Sequence, residues 1–102
     1  MLPDMWLGWI EFDLLLGDVH SLKQKRSLVR PLIADLRRVF SLSVAEVGHL
    51  DLRRRSTVGV ALVGGDSSHV QRVLDAAEQF VATRPELVLL SAKRGLRTSD
   101  DD

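Results

Sequence analysis

Residues 43–63 read SVAEVGHLDLRRRSTVGVALV, and this stretch decides the fold. Ser43–Val47 is a short run of small and β-branched residues, and Thr57–Val63 is almost continuously apolar. The polar segment His49–Arg55 lies between them, which predicts two strands joined as a hairpin with a charged tip. Helical periods flank this hairpin on both sides. Leu28, Val29, Leu32, Ile33, Leu36 and Phe40 recur at three- and four-residue spacing, as do Val70, Val73, Leu74, Ala77, Phe80 and Val81; each set marks an amphipathic helix. Ser21 followed by Gln24 is a capping-box pattern for the start of the first helix. Gly64–Asp66 close the second hairpin strand, Ser67 and Ser68 are the cap candidates for the second helix, and Pro85 stops it. Pro31 falls inside the first helix, where a lost hydrogen bond and a clash with the preceding turn cost about 3 kcal/mol, so a kink or a distorted first turn is expected.

Outermost lie two further strands. Met5–Leu16 alternates, with Ile10, Phe12, Leu14 and Leu16 on one face and Leu7, Trp9, Glu11, Asp13 and Leu15 on the other. Leu87–Ala92 is a last apolar run. The order β-α-β-β-α-β is that of a ferredoxin-like α+β sandwich, a four-stranded antiparallel sheet with two helices on one face. Residues 1–102 form a single domain, with a core over about 5–92 and a polar tail over 93–102 that is expected to fray. The second face of the sheet stays open. With Leu7, Trp9 and Leu15 on it, that face is too apolar for a lone monomer and implies a homodimer or a protein partner.

Composition narrows the chemistry. A chain of 102 residues, 45% of them apolar and 27% charged, suits one domain with one core. It contains no cysteine, which excludes disulfides, thiol catalysis and thiolate metal sites and fits a cytoplasmic protein. The apolar run Met5–Leu16 is too short to span a bilayer, carries Glu11 and Asp13, and follows Asp4 rather than a basic residue, so neither a membrane span nor a signal peptide is expected. His20, His49 and His69 lack the paired spacing of a metal site, and no cofactor motif is present. The loop Gly64–Ser68 has neither a nucleophile elbow nor a phosphate-binding lysine. Acylphosphatases share the topology but need an asparagine, and this chain has none. RNA-recognition modules of this topology stack bases on aromatics of the central strands. The strand Thr57–Val63 has no aromatic, and Trp6 and Trp9 point to opposite faces, so base stacking of that kind is not expected. An acid–base group of Glu46, His49 and Asp51 is a weaker alternative, since a carboxylate near a loop histidine is commonplace.

The formal net charge is zero, with 14 basic and 14 acidic side chains, but the charges are sorted along the chain. Residues 1–19 hold four acids and no base, residues 20–55 nine bases and three acids, and residues 56–102 five bases and seven acids. The middle of the chain is therefore basic. His20–Arg30 carries Lys23, Lys25, Arg26 and Arg30 without an acid, and Arg53, Arg54 and Arg55 follow at the hairpin tip. Cations near a helix start oppose the dipole by a few tenths of a kcal/mol, a cost without structural return unless anions are bound there. A solvated helix face and edge-strand protection are the competing structural readings.

Two blocks carry a family resemblance. His20-Ser21-Leu22-Lys23-Gln24-Lys25-Arg26-Ser27 is similar to the HSLKEKRS block of the bacterial YlxP-like family, domain of unknown function 503. Ser43–Val47 with His49, Asp51-Leu52 and Gly59–Ala61 resembles that family's second block, which places Glu46, His49 and Asp51 at motif positions. Leu50 stands where a glutamine is usual and Arg53 where an aromatic is. The resemblance implies the ferredoxin-like fold. It also implies a gene neighbourhood between those of a translation initiation factor and ribosome-binding factor A, which is association rather than mechanism. Together with the basic middle segment it points to a non-enzymatic factor whose partner is ribosomal RNA or a ribosomal subunit, held through Lys23, Lys25, Arg26, Arg30, Arg53, Arg54 and Arg55.

Overall fold

A computed structural model describes residues 4–100 of the chain. Its elements are β1 (Trp6–Leu16), α1 (Leu22–Phe40), β2 (Ser43–Gly48), β3 (Arg55–Gly64), α2 (Ser67–Ala82) and β4 (Leu87–Thr98). The order is the β-α-β-β-α-β read from the sequence. All strand pairs are antiparallel and the sheet runs β2-β3-β1-β4, so β1 and β3 are central.

Alternation along β1 divides the molecule. Ile10, Phe12, Leu14 and Leu16 are buried under the helices, while Leu7, Trp9, Glu11, Asp13 and Leu15 lie on the opposite face. Val29, Leu32 and Leu36 of α1 and Val70, Leu74, Ala77 and Val81 of α2 close the core over that surface, with Val44, Val58 and Val60 beneath. Gly8 lets α2 come this close to the sheet: a Cβ there would sit 2.5 Å from Val70 Cγ1 and 2.9 Å from Leu74 Cδ1.

The helix starts follow their side chains. Ser21 caps α1, its Oγ accepting from the Gln24 amide at 3.1 Å, while Gln24 Oε1 accepts from the amide of His20, one residue before the cap, a shifted form of the capping box. At α2 the cap is Asp66 rather than Ser67 or Ser68; its Oδ1 accepts from the Ser68 amide at 3.2 Å. Pro31 lies within α1, which runs unbroken from Leu22 to Phe40. The burial of Val29, Leu32 and Leu36 on either side of the proline offsets its missing hydrogen bond.

The C-terminal segment corrects the sequence reading. The polar tail expected from Lys93 onward is strand as far as Thr98, paired with β1 in register down to Trp6–Thr98. The alternation was masked because Arg94, opposite Ile10, faces the helix layer and is charged. Its Nη1 reaches Asp75 Oδ1 of α2 at 2.7 Å. An edge strand whose inward slot is filled by an ion pair carries no apolar signal. The last two aspartates lie outside the described residues.

A second charged tie joins α1 to the α2–β4 turn. Arg84 Nη1 meets Asp35 Oδ2 at 2.8 Å and its Nε meets Glu86 Oε1 at 2.9 Å, with the guanidinium 5.4 Å from the Phe80 ring centre. Hydrogen bonds from Arg84 and then Arg38 hold the Asp35 carboxyl below its ordinary value of 3.8. Stability from this pair is therefore fully present above pH 3.8 and is lost as pH falls through the lowered value. Asp35→Asn should flatten the acid limb of a urea-midpoint against pH profile below pH 3.8 while leaving its slope near neutrality unchanged. Gly8→Ala should lower stability by about 1–3 kcal/mol in urea unfolding, because the added methyl overlaps Val70.

Candidate functional site

The two sequence blocks meet at one end of the sheet. Lys25 belongs to the stripe of α1 that holds Val29, Leu32 and Leu36, and its side chain passes inward between α1 and β2. It is 2% exposed. Its Nζ donates to the His49 carbonyl at 2.7 Å and to the Leu50 carbonyl at 3.4 Å, and lies 2.9 Å from Glu46 Oε2. Glu46 Oε2 also accepts from the Ser56 hydroxyl at 2.7 Å, and Ser56 is fully buried. The ammonium thus finds three acceptors, which is what a buried lysine requires. His49 makes this possible by adopting a left-handed backbone (φ 57°) after a bulge in β2, so that its carbonyl serves both Lys25 Nζ and the Leu52 amide.

Lys25 is accordingly not a surface ligand for phosphate, contrary to the expectation from the basic run. It is a buried strut between the helix and the β2–β3 loop. The signal was present in the helical spacing, since position 25 is four residues before Val29 and seven before Leu32. Ser56 and Asp13, the other polar partners at this end, were missed because their partners Glu46 and Arg55 are ten and 42 residues away in the sequence.

The remaining cations divide into two groups. Arg54 Nε donates to the Gly17 carbonyl at 3.0 Å and, more distantly, to that of Leu16, while Leu16 N returns a bond to Arg54 O at 2.8 Å. Arg55 makes a two-pronged contact with Asp13, at 2.8 and 2.7 Å to its two oxygens, on the open face of the sheet. Both are tied to the sheet's end and hold the β2–β3 loop there. Lys23, Arg26, Arg30 and Arg53 are exposed, and their side chains form no hydrogen bond or ion pair with another described residue. Lys23, Arg26 and Arg30 are spaced i, i+3 and i+7, so they form one stripe of α1, bordering a shallow depression of about 410 Å³ together with Ser27 and Pro31. The bonds from Lys25 and Arg54 bring the start of α1, the β1–α1 turn and the β2–β3 loop to the same end of the molecule. Arg53 thus shares that end with the head of the stripe.

Glu46, His49 and Asp51 are not assembled for acid–base chemistry. Glu46 is held on the core side by Lys25 and Ser56, whereas the His49 ring turns toward Asp13 on the open face, with Nε2 3.9 Å from Oδ1. Asp51 is exposed in the loop. His20 pairs with Asp18 at 3.0 Å in a fully solvated turn. Among the described residues no three His, Asp or Glu side chains are grouped to hold a metal ion. No helix among them is long and apolar enough to cross a membrane.

The open face bears the expected apolar surface. Leu7 is exposed and Trp9 and Leu15 half-buried, and the other strands add exposed Val47, Val63, Val88 and Leu90. Trp9 lies flat against β4, where a Cβ on Gly95 would fall 1.8 Å from its ring. On the other side of Trp9 an apolar trough of about 630 Å³ runs over Ser43, Ala45, Gly59 and Ala61.

Residues 7–94 match the family model described as "Protein of unknown function (DUF503)". The chain is 26% identical over 81 residues to "Uncharacterized protein YlxP" of Bacillus subtilis (strain 168), a match covering 79% of this chain and 88% of that protein. Among solved structures it resembles the de novo designed protein Foldit4, with a TM-score of 0.53 at 12% identity over 96% of this chain and 99% of that one. A weaker likeness is to a mutant form of SnoaB, a cofactor-independent oxygenase from Streptomyces nogalater, with a TM-score of 0.46 at 12% identity over 95% of each chain. These structural likenesses bear on the fold alone.

Lys25→Met should cost about 3 kcal/mol or more in urea unfolding, because Glu46 is left half-buried without its cation. It should also speed amide exchange in the 49–54 loop. Lys23→Met, at an exposed position of the same helix, should change stability by less than about 0.5 kcal/mol.

Proposed function

Because this chain belongs to the DUF503 family, proteins of unknown function, its role is to be read from its own surface, and we propose that it is a non-enzymatic factor that binds structured RNA, such as a ribosomal RNA helix, on its own or in a ribosomal subunit. The observation that carries this reading is the unpaired stripe of Lys23, Arg26 and Arg30 on α1, with Arg53 at the same end. Lys23 in the first turn opposes the dipole, and no acid of the helix offsets the stripe near it: the first acidic residue of α1 is Asp35. Repulsion among them is relieved when phosphates are bound. Recognition of this kind is of backbone and shape, since α1 offers no aromatic between Leu22 and Val39 on which a base would stack. The zero net charge limits long-range, indiscriminate attraction and confines binding to the local patch.

The test is a salt titration of binding to a ribosomal RNA hairpin, followed by fluorescence anisotropy. Four phosphate contacts predict a slope of log K against log salt of roughly −3. The triple variant Lys23→Gln, Arg26→Gln, Arg30→Gln should reduce the slope to about −1 and leave the urea midpoint unchanged. Binding that is absent at low salt, or that the triple variant leaves intact, refutes the reading.

A further inference from the structure

We propose that the open face of the sheet is the contact surface for a second copy of this chain, packed face to face about a twofold axis running along the strands.

The face has the size and the shape for it. Four strands about 4.8 Å apart and roughly ten residues long project an area of about 600 Å². That approaches the roughly 800 Å² of accessible surface per partner in a standard interface. Its apolar side chains are prominent: Val63 is 60% exposed, Val47 and Val88 55% each, and Leu90 47%. Most of its charges are balanced within the sheet: Glu11 stands opposite Lys93 in register and Asp13 is neutralised by Arg55, which leaves the exposed Arg97, opposite Leu7 on the edge strand, as the one excess charge among the described strand residues of this face.

Relief fixes the arrangement. The β1–β4 half is raised by Trp9 lying over Gly95, while the β2–β3 half is hollow over Ser43, Ala45, Gly59 and Ala61. A twofold axis along the strands sets β1 of one copy over β3 of the other and β4 over β2. Because Trp9 and Ala61 are register partners, each Trp9 is then level with the partner subunit's trough at Ala61. The raised half of each copy fills the hollow half of its partner, the self-complementarity an isologous contact requires. An axis across the strands would instead set hollow against hollow.

The test uses the full chain in a Trp6→Phe background, so that Trp9 is the sole tryptophan. Sedimentation should give twice the monomer mass at about 100 μM, with Trp9 emission shifting to the blue as concentration rises from about 1 μM. Ala61→Trp, which fills the trough, and independently Val63→Lys should each weaken dimerisation at least about tenfold, with far-UV circular dichroism confirming the fold. The triple variant of Lys23, Arg26 and Arg30 should dimerise normally, which separates this proposal from the RNA reading. A monomer at about 100 μM overturns it, including one whose Trp9 emission responds instead to anilinonaphthalene sulfonate, which would assign the trough to a small apolar ligand. A dimer indifferent to both Ala61→Trp and Val63→Lys overturns it equally.

Discussion

The Lys25 ammonium, held at 2.9 Å from Glu46 and 2.7 Å from the His49 carbonyl, is the constraint on which the charged end of the molecule depends. A lysine brought out of water needs all its protons accepted and its charge opposed, and only a particular path of the β2–β3 loop supplies both. That path requires the β2 bulge, the left-handed backbone at His49 and the buried Ser56 hydroxyl, each otherwise unfavourable or neutral. Once the loop is drawn against α1, Arg54 bonds back to the β1–α1 turn and Arg55 to Asp13. The residues that look most like ligands in the sequence are thus the ones that build the platform. The cations left over face water.

This division explains how much could be read beforehand. Apolar periodicity located every element, because burial of Phe12, Leu32, Val58 and Leu74 in one core obeys the periods of strand and helix directly. It failed beyond Ala92, where the inward position of β4 is an arginine paired to α2 rather than an aliphatic residue. Basic patterning likewise located the charged end but could not distinguish Lys25 from Lys23. Charge counts are blind to orientation, and only the heptad-like relation of Lys25 to Val29 and Leu32 carried the difference. The acid–base grouping of Glu46, His49 and Asp51 dissolved because residues three apart on an extended chain face opposite ways, and the His49 ring and the Glu46 carboxylate end on opposite sides of the sheet.

The open face shows the complementary logic. Glycines and alanines within strands are weak strand formers and contribute little to the core. Here Gly59, Ala61 and Ala45 cluster on adjacent strands, opposite the side on which Val58, Val60 and Val44 are buried. Small residues aligned across two strands leave a hollow that no described residue fills. Trp9, the largest side chain on that face, lies over Gly95 rather than over the hollow. A sheet whose only role was to shield its core would have polar residues there.

The two surfaces are separate, and their separation has a geometric consequence. The basic stripe lies on the outer side of α1 and the hollow on the far side of the sheet, so occupying one leaves the other free. A twofold axis along the strands preserves direction along them, so the two charged ends of such a dimer would emerge at the same end of the assembly, one α1 on each outer flank. If the proposed RNA reading and the proposed dimer both hold, two such stripes at fixed spacing would act on one RNA as a single bivalent site, with the second contact made at high effective concentration. A chain of zero net charge could in that way discriminate a folded RNA of the right width from a single strand. Neither stripe alone, with three or four cations, has that capacity.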